Sequence, residues 1–253
     1  MDDLKDKVVL ITGASSGIGA AAALAFGRRR SRVAVHYHRH EQAAHDIVER
    51  IRVAGGDAAA FHADAMDTGS LDALAQAVHG HFGRIDVLVN NAGDMLQRVK
   101  LAEAGDDLID RVFHLNARSM VALSRSVVPM MREAGSGAII NVTSQAARTG
   151  GSPGAGLYAA SKAYVAAYTH GLARELVRYG IRVNGIAPGV IDTPIHGAHT
   201  TEEQLEKLRK TIPMRRLGHA DECAGTILYL ASPQLSSYVI GQIIEVNGGT
   251  QMP

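Results

Sequence analysis

The chain holds no tryptophan, one cysteine, 4 phenylalanines and 7 prolines among its 253 residues. A single thiol, Cys223, closes no internal disulfide, so a disulfide-stapled scaffold is excluded and a reducing compartment, the cytoplasm, is expected. Charge of one sign is missing too: 26 Lys and Arg stand against 25 Asp and Glu, a formal net charge of +1. That balance creates no field able to recruit nucleic acid or an anionic membrane, and neither partner is expected. Long apolar runs are scarce. The one uncharged stretch long enough to span a bilayer, Val8 to Gly27, is broken by the polar GASSGIG and follows a net acidic flank. It reads as strand, turn and helix, with no span or leader expected.

What the chain has is 46% apolar residues and 27 glycines, enough for a large core. KVVLIT, RVAVHY, AAAFHAD, IDVLVN, GAIINVT, IRVNGIA and QIIEVN are short, rich in β-branched residues and apolar on both faces. Such segments suit strands covered on both sides. Between them, apolar residues at three- and four-residue spacing predict helices near 17–30, 41–54, 68–82, 107–132, 157–179 and 219–231. The alternation predicts an α/β fold: one domain, a doubly wound, seven-stranded parallel sheet with helices on both faces. No linker or repeat divides it. Two segments break the pattern, TGGSPGAG at 149–156 and the stretch from Pro188 to His219, which carries a short helix in EEQLEKLRK. Both follow strands, and ligands of open α/β sheets bind beyond strand carboxyl ends. A substrate lid over about 193–215 is expected.

The first strand runs into TGASSGIG, with glycines at 13, 17 and 19. They suit a tight turn, close approach to phosphate and close helix packing, while the new helix offers unpaired amides. The spacing is G-x-x-x-G-x-G rather than G-x-G-x-x-G, and alone it fits a plain strand-to-helix turn as well.

TGASSGIG, NNAG at 90–93, Tyr158 and Lys162 within YAASK, PGVIDTP at 188–194 and the closing GQIIEVNGG together resemble the short-chain dehydrogenase/reductase family over essentially the whole chain. The resemblance implies a Rossmann-type fold and a nicotinamide cofactor. It places Gly13, Ser15, Ser16, Gly17, Ile18 and Gly19 around the phosphates, and Asp64 and Ala65 at the adenine. Asn90, Ala92 and Gly93 would line the adenosine ribose and support the fourth strand, and Pro188, Gly189, Ile191 and Thr193 would flank the nicotinamide. Asn90 and Asp64 could equally be turn formers at strand ends.

Cofactor choice is read at the end of the second strand, VHYHRHE. Where an NAD site carries an acid, this chain has Tyr37, followed by His38 and Arg39. A guanidinium without a competing carboxylate suits a 2′-phosphate, so NADP(H) is favoured, with NAD(H) also possible. His36, His38 and His40 alternate as metal ligands might on a strand, but no carboxylate or cysteine completes a set and Arg39 would repel a cation. No metal is expected, and His79 and His81 read as solvated.

Tyr158 and Lys162 lie four apart on a predicted helix, so they share a face. A free phenol has a pKa of about 10. A nearby ammonium and the positive ring of an oxidised nicotinamide are expected to lower it, making Tyr158 the general acid and base. Ser144, after the fifth strand, would bond the substrate oxygen. By resemblance, Lys162 holds the nicotinamide ribose and Asn116 anchors a proton-relay water. No G-x-S-x-G surrounds Ser144, so a hydrolase is not supported. Cys223 reads as core, and the sequon at Asn141 falls in a strand.

The substrate is expected to be a small carbonyl or alcohol compound. Its pocket would be bounded by 145–157, the segment after Gly93 and the lid, with Met95, Gln145, Ala146, Ser152, Leu157, Ile195 and His196 as candidates. A 3-oxoacyl group on an acidic carrier would need a basic patch at the mouth; Arg132 and Arg178 could contribute, but Glu133 and Tyr179 weaken it. Sugar, steroid and small-ketone substrates are the other candidates. A non-catalytic dinucleotide sensor is the alternative, although a sensor has no need of Asn116, Ser144, Tyr158 and Lys162 together. The resemblance also implies a homotetramer, with Ala159, Ala163, Ala166, Ala167 and Gly171 as a small-residue helix face.

Overall fold

Seven of the apolar segments pair as one parallel sheet in the computed structural model, which describes residues 2–193 and 201–252. Strands β1 (Val8–Ile11), β2 (Arg32–Tyr37), β3 (Asp57–His62), β4 (Val87–Asn90), β5 (Gly137–Val142), β6 (Ile181–Pro188) and β9 (Ile243–Val246) run in the order β3-β2-β1-β4-β5-β6-β9. β1 is buried along its length because alternate residues feed two cores. Val9 and Ile11 pack with Phe26 and Ile227, while Val8 and Leu10 pack with Leu71, Leu123 and Leu176. Each such fully buried aliphatic side chain contributes about 1.5–3 kcal/mol relative to exposure.

Helices α1 (Gly17–Arg28), α2 (Glu41–Val53) and α9 (Ala220–Ala231) cover the first face. The second face is covered by α3 (Thr68–Phe82), α5 (Ser119–Glu133) and α7 (Gly156–Leu176). Short helices α4 (Asp106–Phe113), α6 (Ala146–Thr149), α8 (Glu202–Thr211) and α10 (Pro233–Ser236) complete the set. β1 lies between β2 and β4, so the winding reverses there and leaves a crevice beyond the strand ends.

The expected helix over 107–132 is interrupted. α4 passes into a π turn at His114–Arg118 before α5 begins. The Asn116 side-chain amide takes the Val112 carbonyl at 2.9 Å, an acceptor that a regular helix would give to backbone. The helix expected over 157–179 gives way after Leu176 to a 3₁₀ turn that stops at Gly180, φ +74°. A two-residue parallel ribbon, β7 (Ile191–Asp192) with β8 (Gly218–His219), closes the base of the long segment. The short helix expected in EEQLEKLRK is α8; residues 194–200 of the expected lid lie outside the described residues. Among the described residues no helix is long and apolar enough to cross a membrane, and no cluster of His, Cys, Asp or Glu could hold a metal ion. Cys223 is fully buried, and burial pushes its thiol up to about 12.

Candidate active site

Chain leaving β1 is held from below. Thr12 Oγ1 accepts from the amides of Asn91 and Ala92, each at 2.9 Å, and Asn91 Nδ2 donates to the carbonyls of Thr12 (2.8 Å) and Gly13 (3.2 Å). Gly13 has φ +63°, where a side chain would be strained, and a Cβ at Gly19 would collide with the Gly13 carbonyl oxygen. Ser16 caps α1 without a side-chain bond, and no acid occupies the first turn. The first amides of α1 are therefore unclaimed and carry the positive end of the dipole. That cradle fits a pyrophosphate.

At the next strand end, Tyr37 is buried, and burial and the nearby Glu41 carboxylate raise its phenol. His38 Nε2 lies 3.8 Å from Asp64 Oδ2, and Asp64 Oδ1 accepts from the Met66 amide at 2.8 Å. Arg39 is exposed, and no bond or ion pair engages it among the described residues. A small cavity lined by Thr12, Ala65, Asn90, Ala92, Ser119 and Leu123 opens beside this end. Asn90 does not turn its side chain toward ligand. Its Nδ2 donates to Ser124 Oγ (3.1 Å) and Asn141 Oδ1 (2.9 Å), and Asn141 Nδ2 reaches Thr169 Oγ1 at 2.9 Å. This chain of bonds ties β4 and β5 to α5 and α7.

Beyond β5, Ser144 Oγ accepts from the Ala146 amide at 3.1 Å, and its hydroxyl stands near enough to the Tyr158 phenol to act on its pKa. Lys162, buried, donates from Nζ to the Val142 carbonyl at 2.9 Å and lies 5.8 Å from the centre of the Tyr158 ring. Asn116 Oδ1 accepts from the Asp94 amide (3.1 Å) while its Nδ2 donates to the Asp94 carbonyl (2.7 Å). A Cβ on Gly93 would sit 2.5 Å from Asn116 Oδ1 and 3.0 Å from Lys162 Nζ. Only glycine leaves room there for both polar groups.

Burial pushes Tyr158 up to about 12, the Ser144 hydroxyl opposes that, and the nearby Asp94 carboxylate raises it further. Lys162 does not offset this, because its ammonium faces the Val142 carbonyl and is itself held down to about 8 by burial.

The loop before α7 and the segment after Gly93 are stitched together: Arg98 Nη1 donates to Ser152 Oγ (2.7 Å) and the Val99 amide to the Gly154 carbonyl (3.0 Å). Gln145 Oε1 is buried beside Gly189 with no partner among the described residues, and a Cβ on Gly189 would stand 2.7 Å from Asn247 Cα. Thr193 Oγ1 donates to the Ile191 carbonyl at 3.3 Å. Ile195 and His196 lie outside the described residues. Arg132 and Arg178 are not at the pocket mouth. Both stack on the Tyr179 ring, at 4.0 and 4.8 Å, where α5 and α7 lead into the opposite strand edge. The sequence does not single out Thr12, Asn91 or Asp94; all three fall within or flank motifs, but only strand pairing shows what they hold.

A family model described as enoyl-(acyl carrier protein) reductase matches residues 13–251. The chain is 38% identical to a 3-oxoacyl-(acyl-carrier-protein) reductase of Synechocystis sp., over 100% of both chains. Its fold matches a solved 7α-hydroxysteroid dehydrogenase complexed with NADH and 7-oxo glycochenodeoxycholic acid (TM-score 0.92, 36% identity, 98% of this chain and 96% of that one). It equally matches a short-chain dehydrogenase of Burkholderia cenocepacia in complex with NADP (TM-score 0.92, 31% identity, 98% and 99%). Motifs, sheet order and these likenesses agree: the chain belongs to the short-chain dehydrogenase/reductase family, oxidoreductases that move hydride between a nicotinamide and a carbonyl or alcohol.

Proposed function

We propose that this chain is a carbonyl reductase preferring NADP(H), with Tyr158 as the proton donor. The carrying observation is the placement of the Tyr158 phenol beside Ser144 with Lys162 Nζ 5.8 Å from its ring centre, and burial raises the phenol so that it keeps its proton at neutral pH. Pyrophosphate would lie on Gly13, Ser15, Ser16, Gly17, Ile18 and Gly19, adenine against Asp64 and Ala65, and ribose by Ala92 and Gly93. Pro188, Gly189, Ile191 and Thr193 would border the nicotinamide. When bound, the reduced ring supplies hydride to the carbonyl carbon. Ser144 holds the carbonyl oxygen, and Tyr158 gives that oxygen its proton as the C=O π bond breaks, leaving an alcohol. Asn116 and Lys162, which approach a common point beside Gly93, are placed to return a proton to Tyr158.

Tyr37 and the unengaged Arg39 support NADP(H), while Glu41, near Tyr37, brings a carboxylate that keeps the preference loose and NAD(H) usable. The whole chain is proposed to act as one domain, with the stretch about 193–215 as substrate lid. Arg132 and Arg178 stand at the wrong edge to guide a carrier protein to this chain's own site, which supports a free ketone or sugar over a carrier-bound 3-oxoacyl group. A homotetramer in the cytoplasm fits the same reading. Ala159 is buried within the chain, so the α7 face available to a second copy is Ala160, Tyr164, Ala167 and Gly171. A monomer by light scattering would contradict the assembly.

The test is a panel of free ketones, sugars and 3-oxoacyl thioesters run with NADPH and NADH, repeated with Tyr158→Phe. Turnover abolished by that substitution is expected; dinucleotide binding without turnover, unchanged in the variant, would favour the sensor instead.

A further inference from the structure

One buried side chain joins the ends of three strands. His36, in β2, is 2% exposed. Its Nδ1 lies 3.0 Å from the Gly13 amide and its Nε2 lies 3.1 Å from the Ala63 carbonyl. An amide has only a proton to give, so Nδ1 must be bare; a carbonyl can only accept, so Nε2 must carry the proton. The ring is therefore neutral and in one tautomer. Burial holds it there, down to about 4, with His38 and His62 acting in the same direction and the Ala63 bond and Asp64 opposing. The His36 carbonyl also accepts from the Ala14 amide, at 2.9 Å.

Both opening amides of the glycine turn thus point inward onto one residue. A phosphate cradle works only when amides converge outward, and the direction in which the chain leaves Ala14 decides where the amides of Ser15 to Ile18 aim. Gly13, at φ +63°, has the freedom to leave in other directions, so something must choose one. We infer that His36 is a positioning residue for cofactor binding: it fixes the Gly13–Ala14 step and so aims the pyrophosphate-facing amides. The inference rests on the proposal that this turn holds a dinucleotide.

Two substitutions separate its bonds. In His36→Asn the amide oxygen falls near the place of Nδ1 and can still accept from Gly13. In His36→Gln the terminal amide falls near the place of Nε2, keeping Ala63 and orphaning Gly13. Dissociation constants for NADPH and NADH are measured by calorimetry on the full chain, with cofactor KM, kcat and Tm alongside. For an orphaned buried amide, H36Q is expected to weaken both dinucleotides about tenfold with kcat within about twofold, and H36N to stay within about threefold. Equal constants for the two variants, or a change confined to kcat, would overturn the inference, as would cofactor KM simply following Tm. Should H36Q fail to fold, nitrogen-15 NMR of the unaltered protein decides. A bare Nδ1 with a slowly exchanging Gly13 amide supports the pin, and a protonated Nδ1 or a fast-exchanging Gly13 removes it. If the unaltered protein binds neither dinucleotide, the proposed function falls, while the NMR result still judges the pin.

Discussion

At the phosphate end of the crevice, the bonds that shape the turn join uncharged groups: Thr12 hydroxyl, Asn91 amide, His36 imidazole and backbone. At the reacting end the corresponding positions hold a half-buried phenol and a buried ammonium, with pKa values displaced to about 12 and about 8. Neutral hydrogen bonds keep their geometry across the whole physiological pH range, which suits a site that must hold the same pyrophosphate in either direction of reaction. Buried titratable groups are costly to ionise, and that cost is what fixes which proton is available for chemistry. Binding and reaction therefore answer to different variables, shape at one end and protonation at the other.

The contrast breaks most sharply at Tyr158. Tyr158→Phe should lower kcat by about a thousandfold or more, the range for loss of a positioned proton donor, while calorimetric dissociation constants for NADPH stay unchanged. Weakened binding in that variant would show that the ends are not separable. Next in size is Gly93→Ala, whose methyl must displace Asn116 Oδ1 or Lys162 Nζ. It should cost about a hundredfold in kcat, the lower range for disturbed general acid catalysis, and normal turnover would remove Gly93 from the relay. Arg39→Ala should raise KM for NADPH by about tenfold, as for one charge-assisted contact, and leave KM for NADH nearly still. Equal effects on both cofactors would discard the 2′-phosphate assignment.

The gentlest probe is pH. A phenol raised above its ordinary value keeps its proton through neutral pH, so the acid needed for ketone reduction is present below about 12. The base needed for alcohol oxidation is then the scarce form, and it grows as pH rises. Initial rates of alcohol oxidation should climb from pH 7 to 9.5, whereas ketone reduction should not climb. Oxidation that falls with pH would reverse the direction assigned to the Tyr158 shift.

Much of the fold is legible in the residues because β1 and β4 are apolar on both faces, a pattern that only a covered parallel strand satisfies. The helices follow from their spacing, and Tyr158 and Lys162 share a helix face near Ser144. Other features depend on contacts made across the fold. The π turn rests on Asn116 reaching Val112 and Asp94, so no helical period announces it. His36 is 23 residues from Gly13, and Asn91 is 78 from it, so their roles appear only once strand register sets them side by side. The upward shift of Tyr158 depends on enclosure, which composition does not report. The motif gives Asn90 both a ribose-lining and a strand-supporting role, and its side-chain bonds to Ser124 and Asn141 serve the second.

The widened turn at His114–Arg118 also has a meaning for insertion and deletion. Each residue advances an α-helix by about 100°, and a π turn takes up one extra residue without breaking the rod. α5 presents Leu123, Val127 and Met131 to the sheet in phase with that surplus residue. Shortening the segment by one position would restore a regular spiral and swing either Asn116 or the apolar stripe off its target, so chain length here is as constrained as any side chain.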